Sequence, residues 1–358
     1  MRIKELEIDN FKCFSKIRFE FGNLNLLTGS NGCGKSSVIQ ALLMLRQSYK
    51  QFASFSVLST YGMYTNLGNA KDIIYETAEE LRMHFQLTGE TEGRLELVTE
   101  YEPEAHILKN RVMNHSGECI NLFSERFEYL SAERISPQTI YSTVSLADEL
   151  GNNGENTLSF LEEYGTEILV HPVFQKGEQK YLLYCVNDWL DKMFDGFRLQ
   201  LSPLTEADAV SLRYRENSKL SNLHRATNVG FGITYVLPVL TALLKAKDGE
   251  LIILENPEAH LHPRAQRLLG ELISKAASTG AQIIVETHSD HILNGIRISV
   301  KNNDLEADKV KLFFFMRERV AEKYNVNVYA PVLAQNGDVD IWPEGFFDEW
   351  DNALAELF

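Results

Sequence analysis

A glycine-rich segment near the start of the chain has the residues needed to bind polyphosphate. Residues 29–36 read GSNGCGKS and match the pattern G-x-x-x-x-G-K-[ST] in full. They lie between a predicted strand and a predicted helix, the context in which this pattern forms a P-loop rather than a chance glycine loop. Backbone N–H groups would surround the phosphates at a helix N-terminus, Lys35 would reach the β and γ oxygens, and the Ser36 hydroxyl would ligate Mg²⁺.

Two predicted strands later in the chain each end in a glutamate. Residues 251–255 (LIILE) and 282–286 (QIIVE) are apolar runs typical of strands buried on both faces of a parallel sheet. A P-loop enzyme needs an acidic Mg²⁺ partner at the end of such a strand, and Glu255 supplies one. Glu258 follows in the next loop, and His288 stands just after the second strand, where it could sense the γ-phosphate.

The predicted elements place these residues at strand ends and helix starts. Strands are predicted at residues 3–8, 17–21, 24–27, 81–87, 94–99, 251–254, 282–286 and 325–333. A helix follows the P-loop, because apolar residues from Val38 to Leu45 recur at the spacing of one buried helical face. Further helices are predicted from Pro263 to a cap at Gly280, and from Ser289 onward.

The middle of the chain has a different pattern. In residues 105–225, polar turns interrupt short apolar runs, and we expect a mostly helical insertion there. The predicted fold is α/β with mixed sheets: residues 1–104 and 226–358 form the two halves of one domain around the insertion. No repeat or sustained heptad pattern is present in the sequence, which argues against a long coiled-coil arm.

Composition limits the classes of function. The 358 residues are 44% hydrophobic and 24% charged, as in globular proteins. A net charge of −15 repels polyphosphate at long range, so any DNA contact would be a local patch. Four separated cysteines and a start without an apolar signal region favour the cytoplasm. Residues 226–244 carry no charge, but their glycines and proline favour a turn and a buried helix over a membrane span.

Three motifs together resemble a known superfamily. TGSNGCGKSS, LIILENPEAHLHP and ETHS, in that order, resemble the ATP-binding cassette heads of the RecF, SMC and OLD (overcoming lysogenization defect) ATPases. The opening IDNFKCF is similar to the start of the same heads. Residues 129–137 (YLSAERISP), residues 228–240 and the terminal WPEGFFDE resemble a bacterial subgroup of stand-alone ATPases associated with anti-phage defence or DNA-damage responses. The resemblance implies a P-loop, ABC-type ATPase head.

The resemblance assigns roles residue by residue. Glu255 corresponds to the Walker B acid, with Ser36 as the other Mg²⁺ ligand, and His288 corresponds to the switch histidine. The nucleotide-binding Walker A residues are Gly29, Ser30, Asn31, Gly32, Cys33, Gly34, Lys35, Ser36 and Ser37. Asn228, Gly230 and Gly232 stand where the signature motif is expected, although NVGFG departs from the family's LSGGQ. Gln40 and Gln47 are the candidates for the glutamine loop.

The position after the Walker B acid departs from the family pattern. It normally holds the catalytic glutamate, and here it is Asn256, which cannot accept a proton from water at neutral pH. Glu258 is the nearest carboxylate in the same loop and becomes the candidate general base. His288 would orient the attacking water or sense the γ-phosphate. We therefore expect slow hydrolysis.

Three other features of the sequence resemble functional sites but also have simpler structural interpretations. His260, His262, His288 and His291 offer metal-binding spacings, but no cysteine is near and the P-loop already accounts for the local chemistry. Asp338 and Asp340 are similar to the acidic metal site of Toprim nucleases, yet the residues that follow His288 are too few for that domain, so we expect a solvated turn. Beyond Lys323 the chain has seven acids, no Lys or Arg, and aromatic residues that belong to the core or bind a partner.

The resulting hypothesis is an ATPase that binds ATP and Mg²⁺. By the resemblance, two ATP molecules are sandwiched in a head-to-tail homodimer that opens and closes. We expect it to act as a sensor or regulator with a protein effector, in bacterial anti-phage defence. The alternative is a DNA-binding repair ATPase similar to RecF, in which ATP closes the protein around nucleic acid.

Overall fold

The computed structural model describes residues 1–91, 93–116, 120–143, 149–216, 222–320 and 323–357. The contacts between residues divide the chain into two units. The first contains residues 1–127, 308–334 and 339–358. The second contains residues 128–307 and 335–338.

The first unit contains a six-stranded sheet in the order β2-β1-β5-β6-β7-β4. Its strands are β1 (Ile3–Phe11), β2 (Phe14–Glu20), β4 (Val57–Ser59), β5 (Arg82–Gly89), β6 (Arg94–Glu100) and β7 (Ile107–Ser116). Apolar residues alternate along these strands and are buried on one face, as in the pair Leu6 and Leu87 of β1 and β5. This burial of alternate side chains explains why the sequence forms strands here.

The P-loop is positioned by a second group of strands in the first unit. Strand β15 (Val310–Val320) runs parallel to β3 (Leu24–Gly29) and antiparallel to β16 (Lys323–Tyr329). Helix α1 (Lys35–Phe52) follows β3 after a loop of five residues, and its apolar face from Val38 to Leu45 is buried. Two further helices of this unit are α2 (Ala70–Ile73) and α9 (Glu349–Leu357).

The second unit is built around two parallel strands with helices. Strands β13 (Leu251–Glu255) and β14 (Gln282–Glu286) pair in parallel, and β8 (Phe127–Leu130) is the next strand beside β13. A smaller antiparallel sheet contains β9 (Ile140–Ser142), β10 (Arg198–Leu204), β11 (Ala209–Arg215) and β12 (His224–Arg225). The helices are α3 (Thr157–Tyr164), α4 (Leu182–Met193), α5 (Phe231–Tyr235), α6 (Leu237–Leu244), α7 (Pro263–Ser278) and α8 (Asp290–Lys301).

The fold class predicted from sequence is confirmed, with one correction. The chain is a mixed α/β protein with several sheets. The P-loop lies between β3 and α1, Glu255 ends β13, and His288 lies between β14 and α8. Residues 105–225, however, contain strands β7 to β12 as well as α3 and α4, so this segment is not mostly helical. Short apolar runs fit a buried strand as well as a helix, and periodicity alone does not separate them. The division of the chain at residues 104 and 225 stays a prediction.

The uncharged stretch at residues 226–244 forms no long helix. It contains a 3₁₀ turn followed by α5 and α6, and most of the two helices is buried. Among the described residues, no helix has both the length and the apolar character needed to cross a bilayer.

Candidate functional site

The first unit holds the P-loop at the junction of β3 and α1. Gly29 and Gly34 have φ angles of 134° and 97°, in the region that glycine adopts without strain. A Cβ atom at Gly29 would lie 2.2 Å from the Phe315 carbonyl oxygen, and one at Gly34 would lie 2.6 Å from Cys13 Sγ. Close packing on both sides therefore requires glycine at these two P-loop positions.

Lys35 is the charged group of the P-loop. Its side chain is buried, and its Nζ donates hydrogen bonds to the carbonyl oxygens of Gly29 at 2.9 Å and Ser30 at 2.8 Å. The ammonium group thus lies against the loop that would hold phosphates. The first turn of α1 contains no acidic residue, so the positive end of the helix dipole is available to an anion.

The structure separates the two glutamine-loop candidates. Gln47 is buried, and its side chain donates to the Ser59 carbonyl oxygen at 2.9 Å and accepts from the Thr65 N–H at 3.0 Å. Through these hydrogen bonds, Gln47 holds the end of β4 and the segment that follows it. Gln40 is half-buried and accepts a 2.5 Å hydrogen bond from Lys12 Nζ. Of the two glutamines, Gln40 is therefore less constrained by the residues around it.

The second unit brings the predicted acidic residues together. Glu255 and Glu286 are register partners at the ends of β13 and β14, and the Asn256 N–H donates to the Glu286 carbonyl oxygen at 2.8 Å. Burial raises the pKa of Glu255, while a 3.2 Å hydrogen bond from the Tyr129 hydroxyl favours its charged form. The Glu255 carboxylate is a hard oxygen ligand, and so is the Ser36 hydroxyl. Oxygen donors of this type suit Mg²⁺.

The loop after β13, residues 256–260, positions Glu258. Asn256 has a φ of 43°, a left-handed conformation that asparagine tolerates better than most residues. Glu258 Oε1 accepts a 2.9 Å hydrogen bond from the His288 backbone N–H, and burial raises the pKa of Glu258. The His288 side chain is exposed. Thus the backbone N–H of the predicted switch histidine holds the predicted general base.

The signature-like turn precedes α5. A Cβ at Gly230 would meet nothing within 4 Å, whereas one at Gly232 would lie 2.4 Å from the His260 carbonyl oxygen. Gly232 is therefore needed for packing against the 256–260 loop, and Gly230 faces open space. Asn228 and Phe231 are exposed on the same turn. This surface is accessible, as a contact with a second subunit requires.

Two acidic groups bear on the alternative interpretations of the sequence. Among these, the group of three side chains close enough to share a metal ion is Glu7, Asp9 and His84. Asp338 and Asp340 are exposed in a turn, where Asn336 and the Val332 backbone N–H donate hydrogen bonds to them.

Sequence analysis missed the residues that support the second unit's acids. Tyr129, Arg134 and Tyr235 surround the end of β13: Tyr129 bonds to Glu255, Arg134 bonds to the Glu255 and Asn256 carbonyl oxygens, and Tyr235 bonds to the backbone of Arg134. The sequence signal for Tyr129 and Arg134 was their position in YLSAERISP, a segment that supported the resemblance but assigned no role to either residue.

Family comparisons agree with this architecture. Residues 1–168 match the family described as "AAA ATPase domain", and residues 145–294 match "AAA domain, putative AbiEii toxin, Type IV TA system". Residues 305–357 match a family described as "Protein of unknown function (DUF3696)". ATPase-type domain models therefore cover both the P-loop and the Walker B segment.

Two curated proteins are similar in sequence. An OLD nuclease from Thermus scotoductus is 23% identical over 314 residues, which is 80% of this chain. The chain spans 59% of the length of that nuclease. The DNA replication and repair protein RecF from Clostridioides difficile is 41% identical over 46 residues, covering 13% of this chain and 12% of that protein.

Solved structures show the same fold. An SMC head bound to the C-winged helix domain of ScpA aligns with a TM-score of 0.55 at 13% identity, covering 92% of this chain and 98% of that one. An SMC head bound to the C-terminal domain of ScpA from Pyrococcus furiosus aligns with a TM-score of 0.51 at 11% identity, covering 99% of each chain. The chain thus has the fold of these SMC heads. It resembles the RecF, SMC and OLD proteins.

Proposed function

We propose that the chain binds ATP with Mg²⁺ and hydrolyses it slowly within a head-to-tail homodimer. The observation that carries this proposal is the complete P-loop, with buried Lys35 lying against its carbonyl groups and α1 free of acids in its first turn. Ser36 and Glu255 would hold Mg²⁺, which screens the phosphate charge when bound. Glu258 would take a proton from the attacking water.

Slow turnover suits a switch that stays closed until it is triggered. With an amide at position 256, proton transfer depends on Glu258, two residues further along the loop. We expect a rate well below the roughly 10 per second that is typical of enzymes. The long-lived closed state would then be the signal that a protein effector reads.

We propose further that this effector acts in bacterial anti-phage defence. The match of residues 145–294 to a domain family described with a toxin system, and the similarity to an OLD nuclease, support a regulatory ATPase that works with a toxic or nucleolytic activity. The formal charge of −15 also favours a protein partner over nucleic acid.

A second candidate is a DNA-binding repair ATPase, which the local similarity to RecF favours. The two functions differ in their response to salt. A DNA clamp would bind duplex DNA in an ATP-dependent way, with affinity that falls steeply as salt rises because phosphate contacts release counterions. A regulator of a protein effector would show no such ATP-dependent DNA affinity.

Lys35→Ala tests the proposal directly. We expect loss of ATP binding and of turnover together, because Lys35 is the one cation of the loop that can reach the β and γ phosphates. ATP affinity by calorimetry and phosphate release by a coupled assay are the measurements. Normal affinity and turnover in this variant would contradict the P-loop assignment, and unchanged phage plating would contradict the defence role.

A further inference from the structure

Arg134 is a buried cation at the end of the strand that carries Glu255. It is 4% exposed, and its guanidinium donates to the carbonyl oxygens of Glu255 at 3.1 Å and Asn256 at 2.6 Å. These two oxygens lie where the chain leaves β13 and turns through Asn256. The guanidinium uses two different nitrogens for these two bonds, and its planar fork fixes their relative direction, which the single nitrogen of a lysine ammonium does not.

Tyr235 joins Arg134 to the helix after the signature-like turn. It is the last residue of α5, and its hydroxyl accepts from the Arg134 N–H at 2.8 Å and donates to the Ala132 carbonyl oxygen at 3.1 Å. The guanidinium lies 4.7 Å from the centre of the Tyr235 ring, a cation–π distance. The same ring is 5.0 Å from the ring of His260.

The 256–260 loop also packs directly on the backbone of α5. Gly232 approaches the His260 carbonyl so closely that a Cβ would lie 2.4 Å from its oxygen. The Phe231 ring is 5.2 Å from the His260 ring. Such close packing leaves little room for α5 to move without moving the loop that carries Glu258.

We propose that Arg134 and Tyr235 are positioning residues that couple α5 to the 256–260 loop, so that engagement of the signature-like turn sets the carboxylates for hydrolysis. The inference rests on the proposed function. There, α5 of one subunit contacts the nucleotide bound by the partner subunit, and the 256–260 loop acts on the nucleotide bound by its own subunit. Hydrolysis at one nucleotide then requires engagement of the other.

Two conservative variants and one matched control test the coupling. Tyr235→Phe removes the hydroxyl and keeps the ring, and Arg134→Lys keeps the charge and removes the fork. Arg46→Lys is the control: Arg46 is fully buried, donates to the Leu122 and Ser124 carbonyl oxygens, and lies over the Phe127 ring in the first unit. Like Arg134, Arg46 is thus a buried arginine that donates to carbonyl oxygens and lies over an aromatic ring, but in the first unit rather than beside α5.

The measurements are ATP affinity, turnover at saturating ATP, and hydrogen exchange with and without ATP. We expect both test variants to keep ATP affinity within about twofold and to lose about tenfold or more in turnover, because misplaced groups cost rate rather than binding. In the unchanged protein, ATP should protect residues 231–235 and 256–260 together. In Tyr235→Phe, only residues 231–235 should gain protection.

Three results would overturn the coupling. They are an equal loss of turnover in Arg46→Lys, joint protection of both segments in Tyr235→Phe, and the absence of joint protection in the unchanged protein. Missing joint protection counts against the coupling only when the unchanged protein binds and hydrolyses ATP. Failure of the proposed function would look different, because the unchanged protein would then lack ATP binding and turnover, or Lys35→Ala would keep both. The ATP binding and turnover of the unchanged protein and of Lys35→Ala thus separate the two failures.

Discussion

At the scale of single residues, the identity of the general base is the main question. Asn256 follows Glu255, the proposed Mg²⁺ ligand, and its Oδ1 is buried with no hydrogen-bond partner among the described residues. Glu258 lies in the same loop and is held by the His288 backbone N–H. Because an amide does not accept a proton at neutral pH, Glu258 is the residue on which turnover should depend.

Glu258→Gln should therefore bind ATP normally, trap the closed dimer and slow the chemical step by about 10² to 10⁴-fold. Asn256→Glu should leave turnover intact or raise it, at a cost of about 1 kcal/mol in stability because glutamate disfavours the left-handed conformation at this position. Single-turnover hydrolysis of both variants is the measurement. Unchanged chemistry in Glu258→Gln would remove Glu258 from the catalytic role.

The pH profile provides a second readout of the same residue. Burial raises the pKa of Glu258 above its ordinary 4.5, and only the ionised carboxylate accepts a proton. Turnover should thus rise with pH through a midpoint above 4.5. The stability that Glu258 contributes is present below its unfolded pKa and is lost as pH rises through its folded pKa. Glu258→Gln should consequently melt no lower than the unchanged protein at neutral pH.

At the scale of elements, the turn before α5 is the surface that we expect to meet a second subunit. Gly230 faces open space and Asn228 is exposed, so backbone N–H groups of this turn are accessible to a phosphate. Helix α5 has five residues and is followed directly by α6. With so short a helix, the N–H groups rather than the helix dipole should provide most of the attraction.

Gly230→Trp should block ATP-dependent dimerisation and leave the fold intact, because the new side chain extends into open space. Sedimentation with ATP, in a background where hydrolysis is disabled, compares this variant with the unchanged protein. A folded monomer that still binds ATP would support the sandwich. Equal dimerisation in both would contradict it.

At the scale of the whole molecule, the C-terminal segment completes the core of the first unit. Phe346 is fully buried, with its ring 5.2 Å from that of Phe314 on β15 and 5.1 Å from that of Trp342. Strand β15 runs beside β3, which leads into the P-loop. The aromatic tail is therefore core at Phe346, while Trp342 is 47% exposed and open to a partner. The side chain of Trp350 lies outside the described residues.

Phe346→Ala should lower the free energy of unfolding by about 3–5 kcal/mol, the usual cost of removing a buried phenylalanine ring. Trp342→Ala is the matched control and should cost much less, because half of its side chain is already in solvent. Thermal and urea unfolding compare the two variants. Equal stability of Phe346→Ala and the unchanged protein would show that the segment is not part of the core.

Features that depend on neighbouring residues could be predicted from the sequence alone. The P-loop, its flanking strand and helix, and the strands that end in Glu255 and Glu286 are local patterns, since adjacent residues fix their backbone and their polarity. The acidic tail and the amide at position 256 are equally evident from the residues themselves.

Features that depend on distant residues were decided by the tertiary structure. Arg134 meets Glu255 and Asn256 across more than a hundred residues of chain, and no spacing rule links them. Residues 105–225 form mixed strands and helices because burial and strand pairing, not period, select between the two for short apolar runs. Long-range packing free energy thus determines which buried charges support the site, while local propensity determines where the site begins.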